Sequence, residues 1–255
     1  MMKNFTKTAF ALLLLALFAG CASKEARIAT PHDPIEPTNR AFYNFSEGLD
    51  RALIKPLAEG YVSITPAPVR TAVTNFFDNL AYLNVILNSF LQGKISQGFS
   101  DTGRFIVNST LGLGGFFDVA TDAGLERHQE DLGQTLATWG VDRGSYVYLP
   151  VRGPNTVRNL PDFATSLFLN PLFYVTGAVL FPVTALNVVN IRANLLDATN
   201  IRDEAAVDPY SFTREAYLQQ REYLIHDGNP PTEGYDDIFD DEGDFGGDDD
   251  VLVIE

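Results

Sequence analysis

The chain of 255 residues has a single cysteine, Cys21, so no disulfide within the chain can brace the fold. Basic residues are scarce, 18 Lys and Arg against 33 Asp and Glu, and the net charge is −15. Nothing supplies the cationic surface that phosphate backbones need, which excludes nucleic acid as a partner. The three histidines, His32, His128 and His226, share no ligand spacing, so no metal and no cofactor is expected. A G-x-S-x-G elbow is missing. Gly112 to Gly115 lack the third glycine and the Gly-Lys-Ser of a phosphate-cradling loop, and read as turn glycines. Glu130 and Asp131 are adjacent acids, but general acid–base pairs also need a cleft. An enzyme is therefore not expected. Alternating apolar and polar residues are rare, which argues against a sheet. One further absence is local: residues 163–190, "FATSLFLNPLFYVTGAVLFPVTALNVVN", contain no charged side chain.

What is present begins at the amino terminus. Lys3 and Lys7 precede an apolar run, residues 9–19, too short to span about 30 Å of hydrocarbon. It ends at "FAGC", small residues directly before the only cysteine, which resembles a bacterial lipobox. Residues 1–20 are expected to be a lipoprotein signal peptide, and Cys21 the acylated first residue of the mature chain. Acylation holds a protein to a membrane by about 0.8 kcal/mol per buried methylene. Ala22, rather than Asp, follows the cysteine and resembles the outer-membrane default.

Residues 21–37, rich in proline and without periodicity, read as a lipidated, extended tether. From Thr38 the spacing of Phe42, Phe45, Leu49, Ala52 and Leu53 predicts a helix buried on that face and closed by Pro56 and Gly60. A second helix is expected from Pro68 to Leu91. Its asparagines, Asn75/Asn79 and Asn84/Asn88, fall on opposite faces, so it either kinks between the pairs or is surrounded by protein and lipid rather than water. A glycine-rich loop follows "GRFIVNST", "QTLATW" reads as helix, and residues 146–150 as a short extended segment. Residues 187–198 read as helix, as does "DPYSFTREAYLQQREYLI", capped by Asp208. In that last helix Tyr210, Phe212, Ala216, Tyr217, Tyr223 and Leu224 are expected to face inward, and Arg214, Glu215, Arg221 and Glu222 outward. The expected body is thus residues 38–228. Residues 229–255, with eleven acids and no Lys or Arg, form an acidic tail expected to be a disordered, solvated spacer, or else to steer a basic partner.

The uncharged run is long enough to cross a bilayer, but Pro171, Gly177 and Pro182 divide it. An uninterrupted apolar helix would hold an exported lipoprotein in the inner membrane. Shorter pieces can lie in one leaflet with their backbone shielded by protein. Asn170, Thr176, Thr184, Asn187 and Asn190 place polar atoms among apolar ones, as a passage for lipid requires. Phe168, Asn170, Phe173, Tyr174, Thr176 and Phe181 are the candidate lipid contacts.

Several motifs, in order along residues 33–227, resemble the VacJ/MlaA outer-membrane lipoproteins: "DPIEPTNRAFYNF", "NFFDNL", "LQGK", "GRFIVNSTLGLGGFFDVA", "LGQTLATWGV", "YLPVRGP" and "DPYSFTREAYLQQREYL". The resemblance implies an all-α, ring-like protein seated in the inner leaflet of the outer membrane, on its periplasmic side, beside trimeric porins. It also implies a central amphipathic channel, through which mislocalised phospholipid leaves the outer leaflet for a soluble periplasmic lipid-carrier protein. Asn44 and Phe45 match a pair associated with keeping the lipid path closed, and Gly140 and Gly144 match glycines of a mobile loop at the channel mouth. Asp142 stands where a further glycine is common, Ser145 where proline is usual, and Leu132 where Phe is common. A scaffold for porins and a lipid-cleaving enzyme are the competing readings. Altered envelope assembly would favour the first, and release of product from labelled phospholipid the second.

Overall fold

The computed structural model describes residues 33–231. Cys21, the signal segment, His32 and the tail from residue 232 onward lie outside the described residues. The architecture is all-α apart from one hairpin: α1 (Glu36–Leu49), a π turn (Asp50–Ile54), α2 (Lys55–Ile64), α3 (Ala67–Leu91), α4 (Ile95–Thr110), α5 (Val119–Asp122), α6 (Leu132–Thr138), β1 (Tyr146–Leu149), β2 (Gly153–Thr156), α7 (Asp162–Leu169), α8 (Gly177–Asn194), α9 (Leu196–Ala205) and α10 (Pro209–Ile225). A single 3-10 turn, Pro171–Tyr174, separates α7 from α8. Strands β1 and β2 pair antiparallel, with Tyr146 opposite Thr156 and Leu149 opposite Gly153.

The interior is polar. Among the described residues, 18 polar or charged side chains are buried against nine hydrophobic ones, and five of those nine are tyrosines. Buried polar groups are tolerated only when hydrogen-bonded, and here partners are supplied across long sequence distances. Asp33 is 0% exposed. It accepts hydrogen bonds from Asn39 Nδ2 (2.7 Å), Arg214 Nη1 (3.1 Å) and the Tyr210 hydroxyl. Asn39 then works as a side-chain peptide group toward β1: its Nδ2 donates to the Tyr146 carbonyl (3.1 Å) and its Oδ1 accepts from the Tyr148 N–H (2.9 Å). Tyr43, Tyr146, Tyr148 and Tyr210 meet edge-on around this centre, with centroids 5.4–6.3 Å apart. α1, the hairpin and α10 are thereby joined, so the two ends of the described chain close on each other.

α3 is one continuous helix of 25 residues, packed on several sides. Asn79 donates to Ser109 (2.9 Å), Asn84 to Asp162 (3.0 Å), and Asn88 accepts from Thr135 (2.7 Å). The glycine-rich loop after α4 is a turn, as expected. Gly115 has φ +96°, and a Cβ there would stand 2.4 Å from the Asn79 side chain.

Five expectations need correction. The tether ends earlier than Pro37, because Asp33 is the buried hub and α1 starts at Glu36. Pro56 and Gly60 do not close the first helix. The chain widens into a π turn, in which the Lys55 N–H reaches Asp50 O, and this accommodates the bond that Pro56 cannot make. Phe45 and Leu53 are exposed, while α1 buries Asn39 and Tyr43. Pro182 does not break the uncharged run, since it sits inside α8; the breaks fall at Asn170 and Val175, and the next bend at Leu195. The last helix buries two of the charges expected to face outward, Arg214 at 5% and Arg221 at 8% exposure, whereas Phe212 and Tyr223, expected inside, are exposed. Arg214 answers Asp33, and Arg221 forks onto Asp131, with Nη2 to Oδ1 at 2.9 Å.

No single helix among the described residues is long and apolar enough to cross a membrane. α8 and α9 together satisfy length and hydropathy, but are bent by 46°.

Candidate functional site

From Phe163 to Leu195 a single side chain, that of Asn190, is buried. It is used structurally: Asn190 Nδ2 donates to Thr74 Oγ1 (3.0 Å), and Oδ1 accepts from the Tyr61 hydroxyl (3.3 Å), tying α8 to α3 and α2. Everything apolar around that tie points outward or is only half-covered. Phe181 is 79% and Tyr174 73% exposed, with Phe163, Phe168, Phe173, Val179, Val188 and Ile191 exposed beside them. The apolar residues of α8 are spread around the helix rather than gathered on one face, as in a helix with apolar material on several sides. Such a continuous apolar patch marks an interaction surface.

Behind this surface lies a cavity of about 640 Å³, within the about 300–1,000 Å³ of small-molecule sites. The π turn gives it Asp50 and Ile54, α1 gives Ser46, Glu47 and Leu49, and the hairpin gives Tyr148, Val151, Arg152, Gly153 and Pro154. α8 adds Val188, Ile191 and Arg192. Its walls are thus apolar with charged groups set into them. Arg192 forks onto Asp50 (Nε to Oδ1 2.7 Å, Nη2 to Oδ2 2.9 Å) and reaches Thr199 Oγ1 (3.1 Å). Glu47 receives a second fork from Arg202 at 3.0 and 2.9 Å. Burial, with Glu47 nearby, pushes the Tyr148 phenol up to about 12, so it lines the cavity as a neutral hydroxyl. Arg152 differs: it makes no ion pair among the described residues, and its guanidinium lies 4.3 Å over the Phe163 ring. At an exposed site that contact is worth about 0.5–1 kcal/mol.

The expected lipid contacts do not line this cavity. Phe168, Phe173, Tyr174, Thr176 and Phe181 are on the outer surface. The Asn170 side chain is committed to the Leu172 N–H (2.9 Å), capping the 3-10 turn. Expected polar atoms of a passage are in this respect structural ones. The hairpin residues of the cavity lie within the motif "YLPVRGP", but nothing in the sequence placed them against α1 and the π turn, because they meet only when the hairpin folds onto α1.

Asn44 is exposed and lines a second pocket, of about 340 Å³, with Arg40, Tyr43, Gly48, Arg51 and Asp208. Glu47 lines both this pocket and the larger cavity. The neighbouring Phe45 points to the outside. Gly140 and Gly144 fall in the loop between α6 and β1 with φ +82° and +67°. Gly140 has open space around it, while a Cβ at Gly144 would meet Val157 Cβ at 3.0 Å.

The acids considered for catalysis are held apart. Glu130 accepts from Lys94 (2.9 Å), Gln92 and Gln97, and Asp131 caps α6 and pairs with Arg221. Burial works to raise the Asp131 carboxyl, but Arg221 and the Gln134 N–H outweigh it and hold it below the usual range. His128 donates or accepts at Nδ1 with buried Asp101 (2.8 Å). No group of three or more His, Cys, Asp or Glu among the described residues is placed to hold a metal ion.

The family model of the MlaA lipoprotein matches residues 31–224. The chain is 36% identical over 216 residues to a protein of Escherichia coli K12 named intermembrane phospholipid transport system lipoprotein MlaA, covering 83% of this chain and 86% of that one. A Haemophilus influenzae protein of the same name is 31% identical over 232 residues, covering 88% and 92%. A solved structure concerned with the maintenance of bacterial outer membrane lipid asymmetry superposes with TM-score 0.66 and 34% identity, covering 76% of this chain and 98% of that chain.

Proposed function

Because the chain belongs to the MlaA lipoprotein family, we propose that it is the lipoprotein of an intermembrane phospholipid transport system that maintains outer-membrane lipid asymmetry. It takes mislocalised phospholipid from the outer leaflet and passes it through an amphipathic route to a periplasmic lipid-carrier protein. A trimeric porin holds it in place, and acyl chains on Cys21 anchor it on the periplasmic side. The observation that carries this reading is the juxtaposition of an apolar surface, residues 163–195, with a charge-studded apolar cavity directly behind it. A lipid needs both: its tails accept the apolar surface, and its head group needs hydrogen bonds.

Phe168, Phe173, Tyr174 and Phe181, with Asn170 and Thr176 between them, seat the protein in the inner leaflet. Asn44 and Phe45 belong to the closing segment of the path, and Gly140 and Gly144 to a loop at its mouth. The test is outer-leaflet phospholipid in a deletion strain, complemented by the wild type or by Cys21→Ser. Accumulation in the deletion, corrected by the wild type and not by Cys21→Ser, is expected. An unchanged outer leaflet in the deletion strain, with no phospholipid co-purifying in mild detergent, overturns the reading.

A further inference from the structure

Arg152 stands apart from the other cations around the large cavity. Arg192 and Arg202 are each saturated by a carboxylate fork, with Asp50 and Glu47. Arg152 has no carboxylate and no hydrogen bond among the described residues, and an aromatic face alone covers it. Its place is also built. It occupies the three-residue turn between Leu149 and Gly153, next to Val151, whose φ of +67° is a strained conformation for a β-branched residue. The Ser46 hydroxyl of α1 accepts the Val151 N–H at 3.0 Å and fixes the turn against the cavity. The ring under Arg152 belongs to Phe163, the first residue of the uncharged run. A single cation with unused donors therefore sits where the cavity meets the apolar surface.

We infer that Arg152 binds the phosphodiester of a glycerophospholipid at the entrance of the cavity, with the acyl chains on the apolar surface. A guanidinium is a bidentate donor to phosphate oxygens, and its five N–H groups are free for that purpose here. The charges within the cavity cancel in the Asp50–Arg192 pair, and Glu47 is answered by Arg202, so Arg152 alone supplies attraction for an anion. Inorganic phosphate has the same oxygens but no chains, and would leave the apolar walls unoccupied. The inference rests on the transport reading and names the group that selects its substrate.

The test uses the full-length lipoprotein in non-ionic detergent, with fluorescent dioleoyl phosphatidylethanolamine and dioleoylglycerol of the same chains as probes. The wild type is expected to bind the phospholipid about tenfold better than the phosphate-free lipid, as one charge-assisted contact allows. Arg152→Ala should remove that preference, and Arg152→Lys should keep part of it. Unfolding midpoints should be unchanged in both variants, because Arg152 is exposed and holds no buried group. Millimolar inorganic phosphate should not displace the phospholipid. An unaltered preference in Arg152→Ala overturns the inference, as does displacement by inorganic phosphate, which marks a plain anion site. Equal binding of both lipids by the wild type overturns it while leaving lipid transport intact. Binding of neither lipid removes the transport reading itself.

Discussion

Two regions of this molecule treat water in opposite ways. Around Asp33, charged groups are taken out of solvent and paired, Asp33 by Asn39, Tyr210 and Arg214, and β1 by Asn39, while the buried Tyr146 hydroxyl is left without a hydrogen bond among the described residues. Over residues 163–195, apolar side chains remain outside, and only Asn190 is buried. In water the second arrangement wastes the main driving force of folding, which is removal of apolar surface. Next to hydrocarbon that force vanishes between protein and surroundings, and the groups that must be hidden are the polar ones. A polar, directional interior and an apolar exterior therefore suit a protein seated in one leaflet, as proposed above.

The sharpest way to break the comparison is to remove one partner on the polar side. Arg214→Met leaves the Asp33 carboxylate buried without its cation, and about 3–5 kcal/mol of stability should be lost. Denaturant unfolding measures this, and a loss below about 1 kcal/mol would show that the hub is not what holds the ends together. On the apolar side the same measurement should barely respond: Phe181→Ser should stay within about 0.5 kcal/mol. Its effect should appear in vesicle partitioning of the non-acylated protein, weakened by up to about 1.5–3 kcal/mol if the ring is fully buried in lipid. Unaltered partitioning would detach this surface from the membrane.

Acid separates the regions again. The folded-state Asp131 carboxyl lies below its usual value, so its pairing with Arg221 contributes fully at neutral pH. That contribution fades as pH falls below about 3.9, toward the lower folded-state value. The unfolding midpoint should drop with acid in the wild type and drop less in Arg221→Leu, whereas Phe181→Ser should follow the wild-type curve. A further, more modest effect on stability is expected in the loop before the hairpin. Gly140→Ala should cost about 1 kcal/mol, because φ of +82° disfavours a side chain although the space is open. Gly144→Ala should cost more, since Val157 is in the way. Equal costs would mean that backbone conformation alone sets these positions.

Local chemistry made much of the fold legible beforehand. Asp208 before Pro209 announced α10, and its side chain does accept the Tyr210 N–H at 3.2 Å. The asparagines of α3 pointed to a kink or to surroundings other than water; the helix is continuous, and Ser109, Asp162 and Thr135 answer those asparagines. Periodicity misled where ion pairs decide burial. Arg214 and Arg221 read as a solvated face because their partners, Asp33 and Asp131, are 181 and 90 residues away. Prolines misled as well, since Pro56 and Pro182 are carried inside helices, the first behind a π turn. The family likeness was legible in the ordered motifs, but the cavity was not: α1, the hairpin and α8 each bring a few of its residues.

Sequence alone was enough to locate the helices that begin near Thr38, Pro68 and Pro209, the limits of the uncharged run, and the membership of this chain in the MlaA lipoproteins. These follow from interactions within a few turns of helix and from the order of short motifs. Which charges are buried, which face of each helix looks inward, and that Arg152 finds no ion pair among the described residues beside the cavity came from the tertiary fold. Burial of a charge depends on a partner brought from far along the chain, and no local pattern encodes that meeting.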